Sequence, residues 1–280
     1  VLEGKNFGAS GTTMGELVFT TSITGCVESL TDPSYYGQLV IYTFPQLANY
    51  GICLADKESP KSQMGGVVVR EYCEEPSNFR SDESVDAFLK EQNVGGISGV
   101  DTRMLTQMIR DNGVMNAVIT TEETKPDMET LKAFRVVQSV ENTSDSHITE
   151  SLPEGEVKFS VALIDYGAKQ SITNSLLARG CKVTNYPYNT PAEVILANGH
   201  DGVMLSNGPG DPSDNVFCIE QIQKLFGKIP MFGICLGHQM MAIAAGAKTT
   251  KLKFGHRGAN QPVKDLEDGT VVISTQNHGY

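Results

Sequence analysis

The chain has 280 residues, of which 40% are hydrophobic and 20% are charged, a composition typical of a folded globular protein and unlike a disordered or fibrous one. The formal net charge of −11 at pH 7 disfavours contact with phosphate backbones and anionic membranes, so we expect neither nucleic acid nor membrane as a partner. The six cysteines show no CxxC pair and no zinc spacing, which predicts free thiols, no disulfide framework and no metal site.

No apolar run approaches the roughly 20 residues that cross a bilayer. No basic segment followed by an apolar one marks a secretory signal after Val1. We therefore expect a cytoplasmic protein, and the length favours two domains of ordinary size.

The first 121 residues are predicted to form a domain of mixed α and β structure. Short runs rich in Val, Thr and Tyr and bounded by Gly or Pro are typical of strands: GELVFTTSIT, QLVIYTF and GGVVVREY. Apolar residues at helical spacing predict helices in SVDAFLKEQN and TRMLTQMIRDNG, and Gly113 is expected to end the second. We place an N-terminal domain at residues 1–121.

A connecting segment follows at residues 122–157. It is strongly acidic, holds Pro126 and Pro153, and contains the polar run ENTSDSHITES. Domain boundaries tend to fall in such polar, proline-bearing stretches, so we expect the connection here.

From residue 158 to 280, apolar strands alternate with amphipathic helices, which predicts a doubly wound, mostly parallel sheet with helices on both faces. Thr190 to Glu193 fit a capping box with proline at the first helical position. Ligands bind at the carboxyl ends of the strands in such folds, so the informative loops are DYGAK, SNGPGDP and ICLGHQ.

Cys235 falls at a predicted turn from a strand to a helix, between Gly233 and Gly237. The order Gly-Ile-Cys-Leu-Gly copies the G-x-S-x-G nucleophile elbow with sulfur in place of oxygen. Small neighbours permit the strained backbone, the helix N-terminus favours a thiolate, and the Leu236 N–H points to where an oxyanion would form. The alternative is a cysteine that packs, inert, behind a glycine turn.

The loop SNGPGDP would lie at the same edge of a parallel sheet as Cys235. It is interpreted either as an ordinary rigid turn or as the source of a second oxyanion donor, the backbone N–H of Gly208. Phosphate binding is disfavoured because neither of the usual glycine-rich phosphate motifs is present.

At FGICLGHQ and SNGPGDP the sequence resembles the class I (triad) glutamine amidotransferases. GELVFTTSITG, ESLTDPSYYGQLVIYTFPQLANYG, SNFR and GVDTRMLT narrow the resemblance to the small, glutaminase subunit of carbamoyl-phosphate synthase, over essentially the whole chain. In that family a cysteine attacks the amide of glutamine, forms a thioester and releases ammonia to a large synthetase subunit.

The resemblance implies roles for individual residues. Cys235 would be the nucleophile, with the backbone of Leu236 and Gly208 as oxyanion donors. The implied glutamine contacts are Ser34, Gly208, Gly210, Leu236, Gln239, Asn277, Gly279 and Tyr280. Because Ser34 belongs to the first domain, the two domains are expected to meet at the active site.

One part of the family pattern is missing. A catalytic cysteine needs a histidine base and a group that orients it, and the family supplies both from a His-Pro-Glu segment after QNHG. The five histidines of this chain do not match that position: His147, His200, His238, His256 and His278. We therefore expect a chain truncated at both ends and severely impaired as a glutaminase when alone.

The resemblance also implies the partners, which are L-glutamine and the large subunit. ATP and bicarbonate are expected on the large subunit, so no cofactor is expected in this chain. The product would serve arginine or pyrimidine biosynthesis, which the sequence does not distinguish. The alternatives are another triad glutaminase, such as that of anthranilate, GMP or CTP synthesis, a non-catalytic glutamine-binding or regulatory subunit, and an unrelated cysteine hydrolase or thiol sensor.

Overall fold

A computed structural model describes residues 1–123, 126–137 and 139–280. By their contacts, these residues form two compact units: unit 1 comprises Val1–Val136 and Lys251–Gly279, and unit 2 comprises Val137–Thr250 with Tyr280. Residues 124, 125 and 138 of the predicted connecting segment lie outside the described residues.

The structure of unit 1 is a mixed sheet with helices. Its strands are β1 (Lys5–Gly8), β2 (Thr12–Thr20), β3 (Gln38–Tyr42), β4 (Gln46–Leu47), β5 (Gly66–Val68), β6 (Glu71–Tyr72), β7 (Gly95–Ser98) and β8 (Met115–Thr120). Its helices are α1 (Cys26–Leu30), α2 (Val85–Glu91), α3 (Thr102–Asn112) and α4 (Met128–Ala133), with short 3-10 turns at Pro33–Tyr35 and Leu54–Asp56.

Six strands of unit 1 form one sheet in the order β1-β7-β5-β3-β2-β8. The inner pairs are parallel, and β1 and β8 join them antiparallel. Because side chains alternate along a strand, Val40 lies in a core cluster with Phe88 of α2, whereas Ile41 lies in a second cluster with Ile109 of α3. The mixed α and β domain predicted from the sequence is confirmed.

Local sequence signals explain the two longer helices of unit 1. The Ser84 side chain accepts a hydrogen bond from the Ala87 N–H at 3.2 Å, and the Asp101 carboxylate accepts one from the Met104 N–H at 2.9 Å. Both are N-caps, which satisfy backbone donors that the first helical turn leaves unpaired. Gly113 ends α3 with φ of 90°, as predicted.

A hairpin of β14 (His256–Lys264) and β15 (Val271–His278) follows unit 2 in the chain but has its contacts in unit 1. The Thr21 N–H donates to the Arg257 carbonyl at 3.1 Å, and the Val114 N–H donates to the Lys253 carbonyl at 3.0 Å. From the sequence we placed these residues in the second domain, at 158–280. The contacts therefore divide the chain differently from the predicted limits of 1–121, 122–157 and 158–280.

Unit 2 contains a second sheet. Its strands are β9 (Thr149–Ser151), β10 (Phe159–Asp165), β11 (Cys181–Pro187), β12 (Gly202–Leu205) and β13 (Met231–Gly233). Its helices are α5 (Ser139–Thr143), α6 (Gln170–Leu177), α7 (Ala192–Ala197), α8 (Val216–Leu225) and α9 (Leu236–Ala244), with a 3-10 turn at Pro212–Asp214.

The sheet of unit 2 has the strand order β13-β12-β10-β11-β9. The strands β10 to β13 are parallel and the edge strand β9 is antiparallel. Ile164 packs in a cluster with residues of α7, α8 and α9, while Leu163 packs in another with residues of α6. Helices thus cover both faces, and the predicted doubly wound, mostly parallel sheet is confirmed.

The predicted capping box at the start of α7 is wrong in detail. The helix begins at Ala192, one residue later than predicted, because Pro191 is its N-cap and not its first helical residue. Pro191 has no capping side chain, and the Ala192 N–H donates to Gln221 Oε1 at 3.1 Å. Thr190 is buried, and its N–H donates to the Pro187 carbonyl at 3.0 Å. The turn after β11 therefore sets the entry into α7.

Candidate active site

Cys235 lies at the turn between β13 and α9, in the segment we call the cysteine turn (residues 233–237). Its φ and ψ are 49° and −111°. A positive φ is uncommon for any residue with a side chain, and this ψ lies outside the left-handed helical region. The sharp, strained turn predicted for a nucleophile elbow is present in the backbone.

The two glycines of the cysteine turn are required by close approach. A Cβ at Gly233 would lie 2.6 Å from the backbone nitrogen of His238. A Cβ at Gly237 would lie 2.6 Å from Leu205 Cβ and overlap the Leu205 carbonyl oxygen. The glycines on either side of Cys235 therefore let β13, β12 and α9 meet closely enough to form the turn.

Cys235 differs in environment from two of the buried cysteines, Cys26 and Cys218. Burial raises the pKa of the Cys26 and Cys218 thiols to about 12, with nearby Glu28 adding to the effect on Cys26. Cys235 is only partly buried and is the N-cap of α9. Cys235 therefore lies next to the first N–H groups of α9, a position at which helices generally attract negative charge.

The loop after β12, which we call the Gly208 loop (residues 206–211), packs against the cysteine turn. The Gly237 N–H donates to the Ser206 carbonyl at 3.0 Å. A Cβ at Gly208 would lie only 2.8 Å from Leu236 Cδ2. The structure thus brings Gly208 and Leu236 together, as the sequence predicted.

The two predicted oxyanion donors are available. Among the backbone hydrogen bonds of the described residues, none uses the N–H of Leu236 or of Gly208. Backbone N–H groups that remain unpaired beside a nucleophile can stabilise an oxyanion. Their role in catalysis stays a prediction.

Beneath these loops lies a buried polar network that the sequence reading missed. The Asp165 carboxylate, at the end of β10, accepts hydrogen bonds from the N–H groups of Gly167 at 2.8 Å, Ala168 at 2.6 Å and Asp145 at 2.6 Å. Asp165 is 5% exposed. Buried carboxylates need such donors, and here they fix the turn that follows β10.

Asn207 joins that turn to the Gly208 loop. Its Nδ2 donates to the Gly167 carbonyl at 2.9 Å, and its Oδ1 accepts from the Lys169 N–H at 3.2 Å. Ser206 adds a second link, because its Oγ accepts the Tyr166 N–H at 2.9 Å. Both residues come directly after an apolar strand, which is the one signal that could have identified them.

The predicted glutamine contacts are divided between the units. In unit 2, Gln239 Nε2 donates to the Tyr280 carbonyl at 2.7 Å. In unit 1, the Ser34 N–H donates to Asp32 Oδ1 at 2.9 Å and Asn277 Nδ2 donates to Asp32 Oδ2 at 3.2 Å. Asp32, another residue that we missed, therefore connects Ser34 to Asn277.

The remaining contacts in the predicted set are positioned by backbone or burial. Gly210 has φ of 88°, and a Cβ there would lie 2.9 Å from Ser139 Oγ. Leu236 is buried, and Gly279 accepts the Leu252 N–H through its carbonyl at 2.8 Å. The binding roles of this set stay predictions.

A cavity of about 270 Å³ borders the Gly208 loop. It is lined by the start of α5, by Pro209 to Asp211 and by the start of α8. Cys235 is not part of its lining, so this cavity is not a site at the thiol.

The positions of the histidines bear on which residue could act as the base for Cys235. His200 hydrogen-bonds Ser160 Oγ at 2.9 Å and the Tyr186 hydroxyl at 2.8 Å. His200 precedes β12, whereas Cys235 follows β13, and these two strands are parallel neighbours. The two residues therefore lie at opposite ends of the strands, which excludes His200 as the base for Cys235. His147 and His238 are exposed, and His256 contacts His278 in the hairpin of unit 1.

The described residues meet the requirements of neither a metal site nor a membrane-spanning helix. They contain no group of three or more His, Cys, Asp or Glu that could hold a metal ion. In the same part of the chain, no helix is long and apolar enough to span a membrane.

Comparison with known proteins gives two family matches. Residues 1–119 match the family described as "Carbamoyl-phosphate synthase small chain, CPSase domain", and residues 162–280 match "Glutamine amidotransferase class-I". The second match includes residues 251–279, which by contacts group with unit 1. By sequence, the hairpin of β14 and β15 therefore belongs to the amidotransferase match, whereas by contacts it belongs to unit 1.

Similar curated proteins cover nearly the whole chain. The carbamoyl phosphate synthase small chain of Archaeoglobus fulgidus is 50% identical over 286 residues, which cover 100% of this chain and 79% of the relative. Those of Staphylococcus saprophyticus and Listeria monocytogenes are 48% and 49% identical, each covering 99% of this chain and 76% of the relative.

Proposed function

This chain belongs to the carbamoyl phosphate synthase small-chain family of glutamine amidotransferases, and from that premise we propose that Cys235 hydrolyses L-glutamine through a thioester. The sulfur attacks the side-chain amide carbon, the tetrahedral oxyanion collapses with loss of ammonia, and a γ-glutamyl thioester remains. Water then attacks the thioester, releases glutamate and returns the thiol. The two steps together convert glutamine and water into glutamate and ammonia.

The observation that carries this proposal is the geometry of Cys235. The backbone of Cys235 is strained, and the residue is the N-cap of α9. The Leu236 and Gly208 N–H groups have no backbone acceptor among the described residues. Donors that are already oriented towards a developing negative charge lower the barrier because they need no rearrangement during the reaction. A merely structural cysteine would require none of these features.

The proposal assigns substrate binding to the residues implied by the family resemblance. Within unit 2 these residues are Gly208, Gly210, Leu236, Gln239 and Tyr280, and the resemblance also implies three residues of unit 1. Those three are Ser34, Asn277 and Gly279. The Asp32 carboxylate, which holds both Ser34 and Asn277, would keep this second group in place.

The general base and its orienting carboxylate are proposed to come from residues beyond Tyr280. His200 is excluded by its position, and the relatives named above are longer than this chain, which spans 76% to 79% of their length. Loss of one triad member leaves the rest of a site in place but lowers the rate by orders of magnitude. The 280-residue chain alone would therefore be a severely impaired glutaminase.

Ammonia released into water at neutral pH is mostly protonated and no longer nucleophilic. We infer a closed route from the thiol to a large synthetase chain, which would use the ammonia, ATP and bicarbonate to make carbamoyl phosphate. No cofactor is assigned to this chain.

The test uses the full-length small chain in complex with its large chain. Cys235→Ser should abolish glutamine hydrolysis and glutamine-dependent synthesis of carbamoyl phosphate but leave synthesis from added ammonia intact. A diazo-ketone analogue of glutamine should alkylate Cys235 with one-to-one stoichiometry. Hydrolysis that persists in Cys235→Ser would refute the assignment, and a rate for the 280-residue chain equal to that of the complex would refute the downstream base.

A further inference from the structure

The Gly208 N–H belongs to the same peptide unit as the Asn207 carbonyl. A trans peptide is planar, so its C=O and N–H point in opposite directions. A contact that fixes the direction of the Asn207 carbonyl oxygen therefore also fixes the direction of the Gly208 N–H. This coupling makes the partner of the Asn207 carbonyl important for the proposed oxyanion site.

That partner is the Ser206 hydroxyl, whose Oγ donates to the Asn207 carbonyl oxygen at 2.7 Å. The same Oγ accepts the Tyr166 N–H at 2.9 Å. A hydroxyl has a single hydrogen, and the bond accepted from Tyr166 leaves that hydrogen directed at Asn207. Ser206 is 0% exposed, so water does not compete for either bond.

We propose that Ser206 is a positioning residue for glutamine hydrolysis, which orients the Asn207–Gly208 peptide so that the Gly208 N–H faces the oxyanion. This inference rests on the proposed function and adds a residue that acts through the peptide without touching substrate.

The backbone of Ser206 is itself fixed on both sides. Its N–H donates to the Ile164 carbonyl of β10 at 3.2 Å, and its carbonyl accepts the Gly237 N–H of the cysteine turn at 3.0 Å. Ser206 thus connects the strand, the Gly208 loop and the cysteine turn. A hydroxyl on so rigid a residue can set the direction of a neighbouring peptide.

The other contacts of the loop act at different atoms. The Asn207 side chain bonds the turn at 167–169, through its Nδ2 to the Gly167 carbonyl and through its Oδ1 to the Lys169 N–H. Gly208, on the other side of the peptide, is closely packed, since a Cβ there would lie 2.8 Å from Leu236 Cδ2 and overlap the Tyr166 carbonyl oxygen. The Ser206 hydroxyl acts on the peptide oxygen itself, so its loss would let the Asn207–Gly208 peptide tilt and turn the donor away from the thiol part of the time.

The test is Ser206→Ala in the full-length small chain bound to its large chain, with steady-state glutaminase kinetics. We expect kcat to fall roughly 10-fold, less than the 10²–10³-fold typical for loss of an oxyanion donor, because the donor remains but is misaligned part of the time. The KM for glutamine should change less than about 3-fold, since the interaction matters in the transition state. Ser206→Thr keeps the hydroxyl and should retain kcat within a few-fold of wild type.

The matched control is Thr143→Val. The Thr143 Oγ1 lies 2.9 Å from the Tyr166 carbonyl oxygen, on the same turn, and 2.9 Å from the Ser139 carbonyl oxygen, so its one hydrogen can go to either, and neither bond involves the Asn207 peptide. This variant loses a comparable hydrogen bond and should keep its kcat. Alkylation of Cys235 by iodoacetamide, which forms no oxyanion, should proceed at the wild-type rate in both variants.

The outcomes separate the inference from the proposed function. Wild-type kcat in Ser206→Ala, or an equal loss in Thr143→Val, would overturn the positioning role. So would a Ser206→Thr protein that folds but loses kcat as the alanine variant does. Absence of hydrolysis from the wild-type complex, or its persistence in Cys235→Ser, would instead overturn the proposed function.

Discussion

At Gly233 and Gly237 the backbone on either side of Cys235 leaves no room for a side chain. The G-x-C-x-G spacing predicted this from the sequence, because only glycine tolerates such close approach. The structure adds which groups approach: the His238 nitrogen at one glycine and the Leu205 carbonyl at the other.

Gly237→Ala should therefore destabilise the protein. The new methyl would overlap the Leu205 carbonyl, and overpacking of this kind costs about 1–3 kcal/mol. Urea unfolding followed by circular dichroism would measure the loss. Gly155→Ala is the control, since a Cβ there meets nothing within 4 Å and its φ is not positive. Equal stability of the two variants would contradict the steric account.

The polar residues of the site show what the sequence does not reveal. Cys235, Gly208 and Leu236 could be identified because their spacing has a direct steric or chemical meaning. Asp165, Ser206 and Asn207 could not, because their importance lies in hydrogen bonds among loops far apart in the chain. Polar residues after a strand are too common for their type alone to indicate such a network.

At the level of elements, periodicity predicted the helices and strands well. The β10 to α9 series appears in the order expected, because alternation of apolar strands with amphipathic helices has few stable arrangements. The residues at which the helices and strands begin and end were less predictable. Thr190 and Glu193 had the spacing of a capping box, yet the turn at Pro187 placed Pro191 at the cap.

His200 contacts two strands of unit 2 and gives a prediction about pH. Its ring bonds Ser160 on β10 and Tyr186 on β11, and Lys182, Glu150 and Asp201 lie nearby. Burial is the main cause that lowers its pKa from the ordinary 6.5. The folded protein therefore binds this proton less readily than the unfolded chain, and protonation favours unfolding.

The stability that neutral His200 confers should be complete above about pH 6.5 and decline as the pH falls towards the lower folded-state pKa. Tm measured from pH 7.5 to pH 5 should thus fall less steeply in His200→Gln than in wild type. His147→Gln is the control, because the His147 side chain is 83% exposed. Parallel Tm curves for wild type and His200→Gln would show that His200 does not contribute.

At the scale of the whole molecule, the sequence predicted two compact regions. It did not predict that the hairpin of β14 and β15 groups with unit 1. The sequence places residues 251–279 after the parallel sheet of unit 2, and nothing in their composition indicates contact with β2 or α3. That contact depends on backbone hydrogen bonds from Thr21 and Val114. Backbone hydrogen bonds between distant segments do not depend on residue type. The sequence therefore could not predict that the hairpin contacts unit 1.

The same hairpin carries an unusual amount of exposed apolar surface. Val271, Val272 and Ile273 on β15 are 57%, 55% and 64% exposed. The hairpin forms a two-stranded sheet of its own among the described strands. Exposed strand edges with apolar side chains are sites at which chains pair with one another.

We therefore expect the isolated 280-residue chain to self-associate as its concentration rises, despite a net charge of −11 that opposes association. Ile273→Lys should reduce this association, because a lysine on an exposed strand hinders edge-to-edge pairing. Val194→Lys is the control, since Val194 is a singly exposed apolar residue on α7. Sedimentation velocity over a concentration series measures both, and equal association of the two variants would show that the hairpin is not the contact.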